Sequence, residues 1–380
     1  MVSAPSVEAP PKPPNLNNPR QWPVKTPARI ALRVLLGAPL AVLGVWAVLA
    51  GNVSPGHEAL IAQTQRLLAD GFSFFDIGDV YPPAPILLAL AVGASATGLA
   101  VVSSMLAGSA LHAAWERMMQ RDVPVVTQAT MIASVTLIPS VWYLTSQDVA
   151  TIGGLTMLVI ALSGFIRFVQ DHDTVGGFTA GLFIAAAFLF DPAALAYALT
   201  IALATPLLAA TQDYRAPAAT RALVSVLCFP IVAVVLGWAF LEWRFDGSAF
   251  AFITSDLGLF HFDVSPLADL WKAVGEVARN VAFVPVYIAV ALLLMLRRPI
   301  TGIGFLIPVV GLIVVRWSGL FYSPTATLVL LTLLAMVSVP SRPTRLGRLI
   351  IPGAAVAQLL MNVAMPPDTP GFDGWLNLLS

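Results

Sequence analysis

Residues 51 to 85 read GNVSPGHEALIAQTQRLLADGFSFFDIGDVYPPAP and lie between two strongly apolar stretches. Such a segment leaves one membrane span and returns toward the bilayer. It gathers His57, Glu58, Asp70, Asp76 and Asp79 in a chain of which only 11% is charged. Acids grouped on one side of a membrane protein point to a functional site, so the segment reads as the roof of a site facing away from the cytoplasm. Ser54 as cap, Pro55 at the first position and Asp70-Gly71 as a stop predict a short helix. Leu60, Ile61, Leu67 and Leu68 fall near one face of it, the pattern of a helix lying in the membrane interface. Phe72, Phe74, Phe75 and Tyr81 follow as aromatic anchors at headgroup depth. Pro82, Pro83 and Pro85 then open Ile86 to Ala96, too short to span alone, which reads as a half-inserted helix joined to the next span.

The 380 residues are 58% hydrophobic, with mean hydropathy +0.85. A soluble chain would carry about a quarter charged residues. The class is therefore an all-α polytopic membrane protein. Cys228 is the one cysteine, which excludes an intramolecular disulfide and a CxxC metal site. Residues 1 to 28, rich in proline, predict a disordered cytoplasmic tail without the apolar core of a signal peptide.

A membrane domain is expected over 29 to 364, with external loops at 51–96 and 242–280 and an external tail at 365–380. The candidate spans are Ile30–Ala50, Thr97–Met118, Val125–Leu144, Ala150–Phe168, Val175–Phe190, Ala193–Ala210, Ala222–Leu241, Val281–Leu296, Ile300–Val315, Leu320–Val339 and Leu349–Ala364. Eleven spans put the N-terminus in the cytoplasm and the C-terminus outside. All but five of the twenty Lys and Arg residues (Arg66, Arg244, Lys272, Arg279 and Arg316) then fall on the cytoplasmic side, as the positive-inside rule demands. The chain is expected in an inner or plasma membrane. Phe245, Phe250, Phe252, Phe260, Phe262 and Trp271 make the second external loop an interfacial cover.

No Walker loop, GxGxxG after a strand, HExxH or nucleophile elbow is present. The cationic side is a series of short loops, not a basic patch for nucleic acid. Small residues around Gly177 and Gly181 predict close helix packing. His112 reads as a packed core residue, and Asp191 before Pro192 as a turn at the outer surface or a group facing the same cavity as Glu58.

In this order the features resemble the integral-membrane glycosyltransferases of the GT-C fold. The residues that carry the resemblance are Gly56-His57-Glu58, the interfacial helix through Leu68, Asp79-Val80-Tyr81-Pro82-Pro83, and Gly177 to Gly181 followed by Phe190-Asp191-Pro192. It covers roughly residues 30 to 210. The resemblance implies transfer of a sugar from a polyprenyl-phosphate donor to a lipid or cell-envelope glycan acceptor on the extracytoplasmic face, amid membrane lipids. Such enzymes commonly have Asp-Glu or Asp-Asp where this chain has His57-Glu58, the first acid being the usual base. The base here is then Glu58 or a downstream acid, Asp76 or Asp79, with His57 as a weaker substitute.

A departing lipid phosphate needs a cation, and Arg316 and Arg244 suit it because guanidinium pairs well with phosphate oxygens. Arg316 also fits a snorkelling cation at a helix end. The first-loop acids fit a divalent cation such as Mg, Mn or Ca. Two other classes stand beside this one: a transporter or flippase, and a catalytically inactive GT-C-like assembly subunit, which His57 in the base position would explain.

Overall fold

The computed structural model describes residues 22–70, 80–171, 174–194, 217–245, 267–297, 299–318, 323–340, 346–367 and 372–376, with isolated positions between them. Among these the chain is helical, without a strand. The helices are α1 (Thr26–Leu49), α2 (Pro55–Asp70), α3 (Pro83–Ala91), α4 (Ala96–Gln120), α5 (Val125–Thr136), α6 (Pro139–Gln147), α7 (Val149–Asp171) and α8 (Thr174–Phe190). They continue with α9 (Pro217–Phe245), α10 (Leu267–Ala282), α11 (Pro285–Arg297), α12 (Pro299–Trp317), α13 (Pro324–Ser338), α14 (Gly347–Ala364) and α15 (Phe372–Leu376).

Among the described residues, Thr26–Leu49, Ala96–Gln120, Val224–Phe245 and Gly347–Ala364 are each long and apolar enough to cross a membrane. Two bent pairs, α5 with α6 and α10 with α11, pass the same test when each is taken as one span. This is a multi-pass helical membrane protein. The expected span Ala193–Ala210 lies almost wholly outside the described residues, as do Asp76 and Asp79.

Small residues let the helices approach closely, since packing rather than hydrophobic force joins helices in lipid. A Cβ on Gly108 would sit 2.6 Å from the Arg33 carbonyl and 2.7 Å from the Gly37 amide, so α1 and α4 cross backbone to backbone. On α8, a Cβ on Gly177 would meet the Phe168 ring at 2.7 Å, and one on Gly181 the Val226 carbonyl at 2.9 Å. The small-residue reading of α8 therefore holds, against α7 and α9. Helix α13 is buried from Thr327 to Ser338 without interruption and forms the axis of the bundle, as an all-round apolar helix should.

The first loop follows its sequence. Ser54 Oγ accepts from the His57 amide at 3.1 Å, capping α2, which ends at Asp70. Helix α3 is a nine-residue half-helix whose Ile86 and Ala89 pack with Leu60, Leu99 and Val149. The chain then turns through Gly93, at φ +66°, into α4.

Four expectations change. The span Val125–Leu144 breaks at Leu137-Ile138, ahead of Pro139, into α5 and α6 with a 68° bend. Proline cannot donate the helical hydrogen bond at that point. The loop expected at 242–280 is partly helical, because α9 runs on to Phe245 and α10 fills Leu267–Ala282. The tail expected at 1–28 stops short of its bound: the Trp22 amide donates to Glu116 Oε1 at 2.8 Å, its ring packs on Trp115, and α1 starts at Thr26. At the other end of the chain, α15 tucks Phe372 and Trp375 (3% and 0% exposed) against Tyr143 of α6.

Candidate active site

Two acids that close helices define the site. Asp148 links α6 to α7 and caps α7, its Oδ1 accepting from the Thr151 amide at 3.0 Å, the usual work of an N-cap aspartate. Asp191 follows α8, where its Oδ1 accepts from the Ala193 amide at 2.8 Å in the local turn that aspartate favours. Asp148 thus satisfies the start of α7, Asp191 braces the turn after α8, and the α7–α8 packing brings both acids to the same end of the bundle.

There Asp191 lines a small cavity of about 30 Å³ together with the hydroxyl residues Thr151, Ser323 and Thr327 and the apolar Leu155 and Leu158. At roughly 10–15 Å³ per water, it admits a water or a hydroxyl group. Both residues are half-buried, and desolvation raises both proton affinities. Asp191 is lifted to about 7 by desolvation, against the lowering effect of the Ala193 amide, with a smaller upward push from the charge of Asp148. A carboxyl poised near neutrality is suited to proton transfer.

An aromatic wall adjoins the pair. Tyr81, 5% exposed, donates its hydroxyl to the Phe188 carbonyl at 2.8 Å, and its ring centroid lies 5.4 Å from those of both Phe188 and Trp238. Burial, then the charges of Asp191 and Glu242, hold the phenol protonated well above its ordinary range. Trp238 Nε1 donates to Glu242 Oε1 at 2.7 Å, and Glu242 is 0% exposed. The first-loop sequence Tyr81-Pro82-Pro83 thus seats one phenol against α8 and α9, near Asp191 and Glu242.

The residues singled out from sequence are dispersed. His57 is 1% exposed and its Nε2 accepts from the Val149 amide at 3.2 Å. Burial pushes its imidazole down to about 4. Glu58, its neighbour, is exposed on α2. Arg316, at the end of α12, donates to both carboxylate oxygens of Glu276 on α10, at 2.5 and 3.3 Å. Arg244 is exposed at the end of α9, its guanidinium 5.6 Å from the Phe245 centroid. Neither arginine nor Glu58 lines the cavity. Among the described residues no group of three or more His, Cys, Asp or Glu side chains is placed to hold a metal ion.

Asp148 and Glu242 carry no motif, so only position marks them: each is an acid at the end of an apolar run. No protein-family model, curated protein or solved structure matches this chain.

Proposed function

We propose that this chain is a membrane glycosyltransferase of GT-C type. It moves a sugar from a polyprenyl-phosphate donor to a lipid or cell-envelope glycan on the extracytoplasmic face, with Asp191 as general base. In this reading the bundle crosses the membrane eleven times, the N-terminus is cytoplasmic, and the acid pair opens outward. The observation that carries it is Asp191 itself, a carboxyl of near-neutral proton affinity on the wall of a cavity of hydroxyl size. The acceptor hydroxyl enters against Asp191, which takes its proton as the oxygen attacks the anomeric carbon. The sugar–phosphate bond breaks and the lipid phosphate leaves. The negative charge of Asp148 strengthens Asp191 as a base, and buried Tyr81 stays neutral beside it. Of the two cations proposed for the lipid phosphate, exposed Arg244 is the readier, because Arg316 already holds Glu276.

The test is transfer of a radiolabelled sugar from polyprenyl phosphate in vesicles. Asp191→Asn should lose at least about 100-fold in rate, the scale of general base catalysis, while Glu58→Gln retains transfer. Full transfer by Asp191→Asn would sink this assignment of the base. Loss in Glu58→Gln and Asp79→Asn instead would return the role to the first loop.

Two broken helices favour a second reading, a proton-coupled transporter. Gln358 Nε2 donates to the Ser134 carbonyl just before the α5–α6 break, at 3.2 Å. Asn362 Nδ2 donates to the Phe283 carbonyl at the α10–α11 break, at 2.9 Å. Helix α14 therefore grips both breaks with one face. Proton-driven uptake of a labelled solute, without glycosyl transfer, would establish that reading.

A further inference from the structure

Three hydrogen bonds fasten the start of α2 to the junction of α6 and α7. The Ser54 amide donates to Gln147 Oε1 at 3.1 Å, and the Ser54 hydroxyl to the Gln147 carbonyl at 2.5 Å. The third is the bond from the Val149 amide to His57 Nε2 at 3.2 Å. The residue between Gln147 and Val149 is Asp148, so the first loop grips the chain on both sides of one member of the acid pair.

The chemistry of the imidazole follows from that third bond. A backbone amide only donates, so Nε2 is the unprotonated nitrogen and the ring proton sits on Nδ1. Nδ1 is buried without a partner. A general base must offer its lone pair to the substrate. The lone pair of this neutral ring already belongs to Val149, and His57 does not line the cavity.

We propose that His57 is a positioning residue: its Nε2 fixes the α6–α7 junction, so that Asp148 stands beside Asp191, and it takes no proton from a substrate. This inference rests on the reading of Asp148 and Asp191 as the reacting pair, but the clamp can be tested without any turnover. Glutamine is the conservative replacement, because its Oε1 can accept near the place of Nε2. Leucine fills a similar volume and cannot accept at all.

The experiment uses the full chain in lipid nanodiscs with ¹⁵N-labelled histidine, the His57 signal being the one of four that is lost in His57→Gln. The expected spectrum is a neutral ring protonated on Nδ1 from pH 5 to pH 8. A ring protonated on Nε2, or one titrating near its ordinary 6.5, would overturn the proposal. In parallel, the infrared carbonyl band of protonated Asp191, identified by its loss in Asp191→Asn, reports the acid pair. His57→Gln should keep its titration midpoint. His57→Leu should lower it by about one pH unit, as a loosened junction admits water and removes part of the desolvation. An unmoved midpoint in folded His57→Leu overturns the clamp. Should that variant fail to fold, the wild-type tautomer and the His57→Gln midpoint still decide. A correct tautomer and a clamp-dependent midpoint with no glycosyl transfer would support the clamp and refute only the proposed reaction.

Discussion

Replacing Asp191 by asparagine should change how stability depends on pH, even where no activity is measured. The amide keeps an oxygen for the Ala193 hydrogen bond but carries no charge at any pH. In the wild type the folded carboxyl holds its proton up to about 7, against an ordinary value of 3.8. Because the folded-state value is the higher one, the folded state binds more protons through that window. Its stabilisation is complete below about pH 4 and lost as pH rises toward 7. The whole window corresponds to about 4 kcal/mol, of which roughly 2–3 kcal/mol falls between pH 5 and pH 8. Thermal unfolding in detergent, followed by circular dichroism at half-unit pH steps, should show the wild-type midpoint falling across this range. Asp191→Asn should lack that component and be the more stable protein at pH 8. Parallel curves for the two proteins from pH 5 to pH 8 would refute the reasoning, since they would mean that Asp191 titrates as a solvated carboxylate.

Gly108→Val should destabilise the α1–α4 crossing by about 1–3 kcal/mol, because its Cβ would meet backbone atoms at 2.6 to 2.9 Å. Gly237→Val, where an added Cβ meets nothing within 4 Å, is the matched control, and equal unfolding midpoints for the two would refute the crossing. Trp375→Ala removes a fully buried ring packed on Tyr143 and Trp142, a change of about 3–5 kcal/mol in a core. Hydrogen exchange should therefore rise sharply at residues 372–376 and little elsewhere, and unchanged exchange there would refute the docking of α15.

What could be read from the sequence alone was set by the bilayer. Long apolar runs such as Thr26–Leu49 must be helices, because lipid offers no partner to an unpaired peptide group. Local chemistry was equally legible where donor and acceptor lie a few residues apart. Ser54 caps α2, Pro55 begins it, Pro82 and Pro83 open α3, and Gly177 and Gly181 seat neighbouring helices. The break before Pro139 is a local consequence too, since the proline lacks the amide that an unbroken span would need. The acid pair was not legible in this way. Asp148 and Asp191 are forty-three positions apart in the sequence, and each looks like an ordinary helix-end residue. Only the packing of α7 against α8 brings them to one end of the bundle, and desolvation there raises their proton affinity. The same holds for His57. Its place beside Glu58 suggests a base, but whether its lone pair is free depends on the Val149 amide, ninety-two residues away. Covalent neighbours and the solvent decide the helices; desolvation and long-range hydrogen bonds, which exist only once the bundle has closed, decide the chemistry.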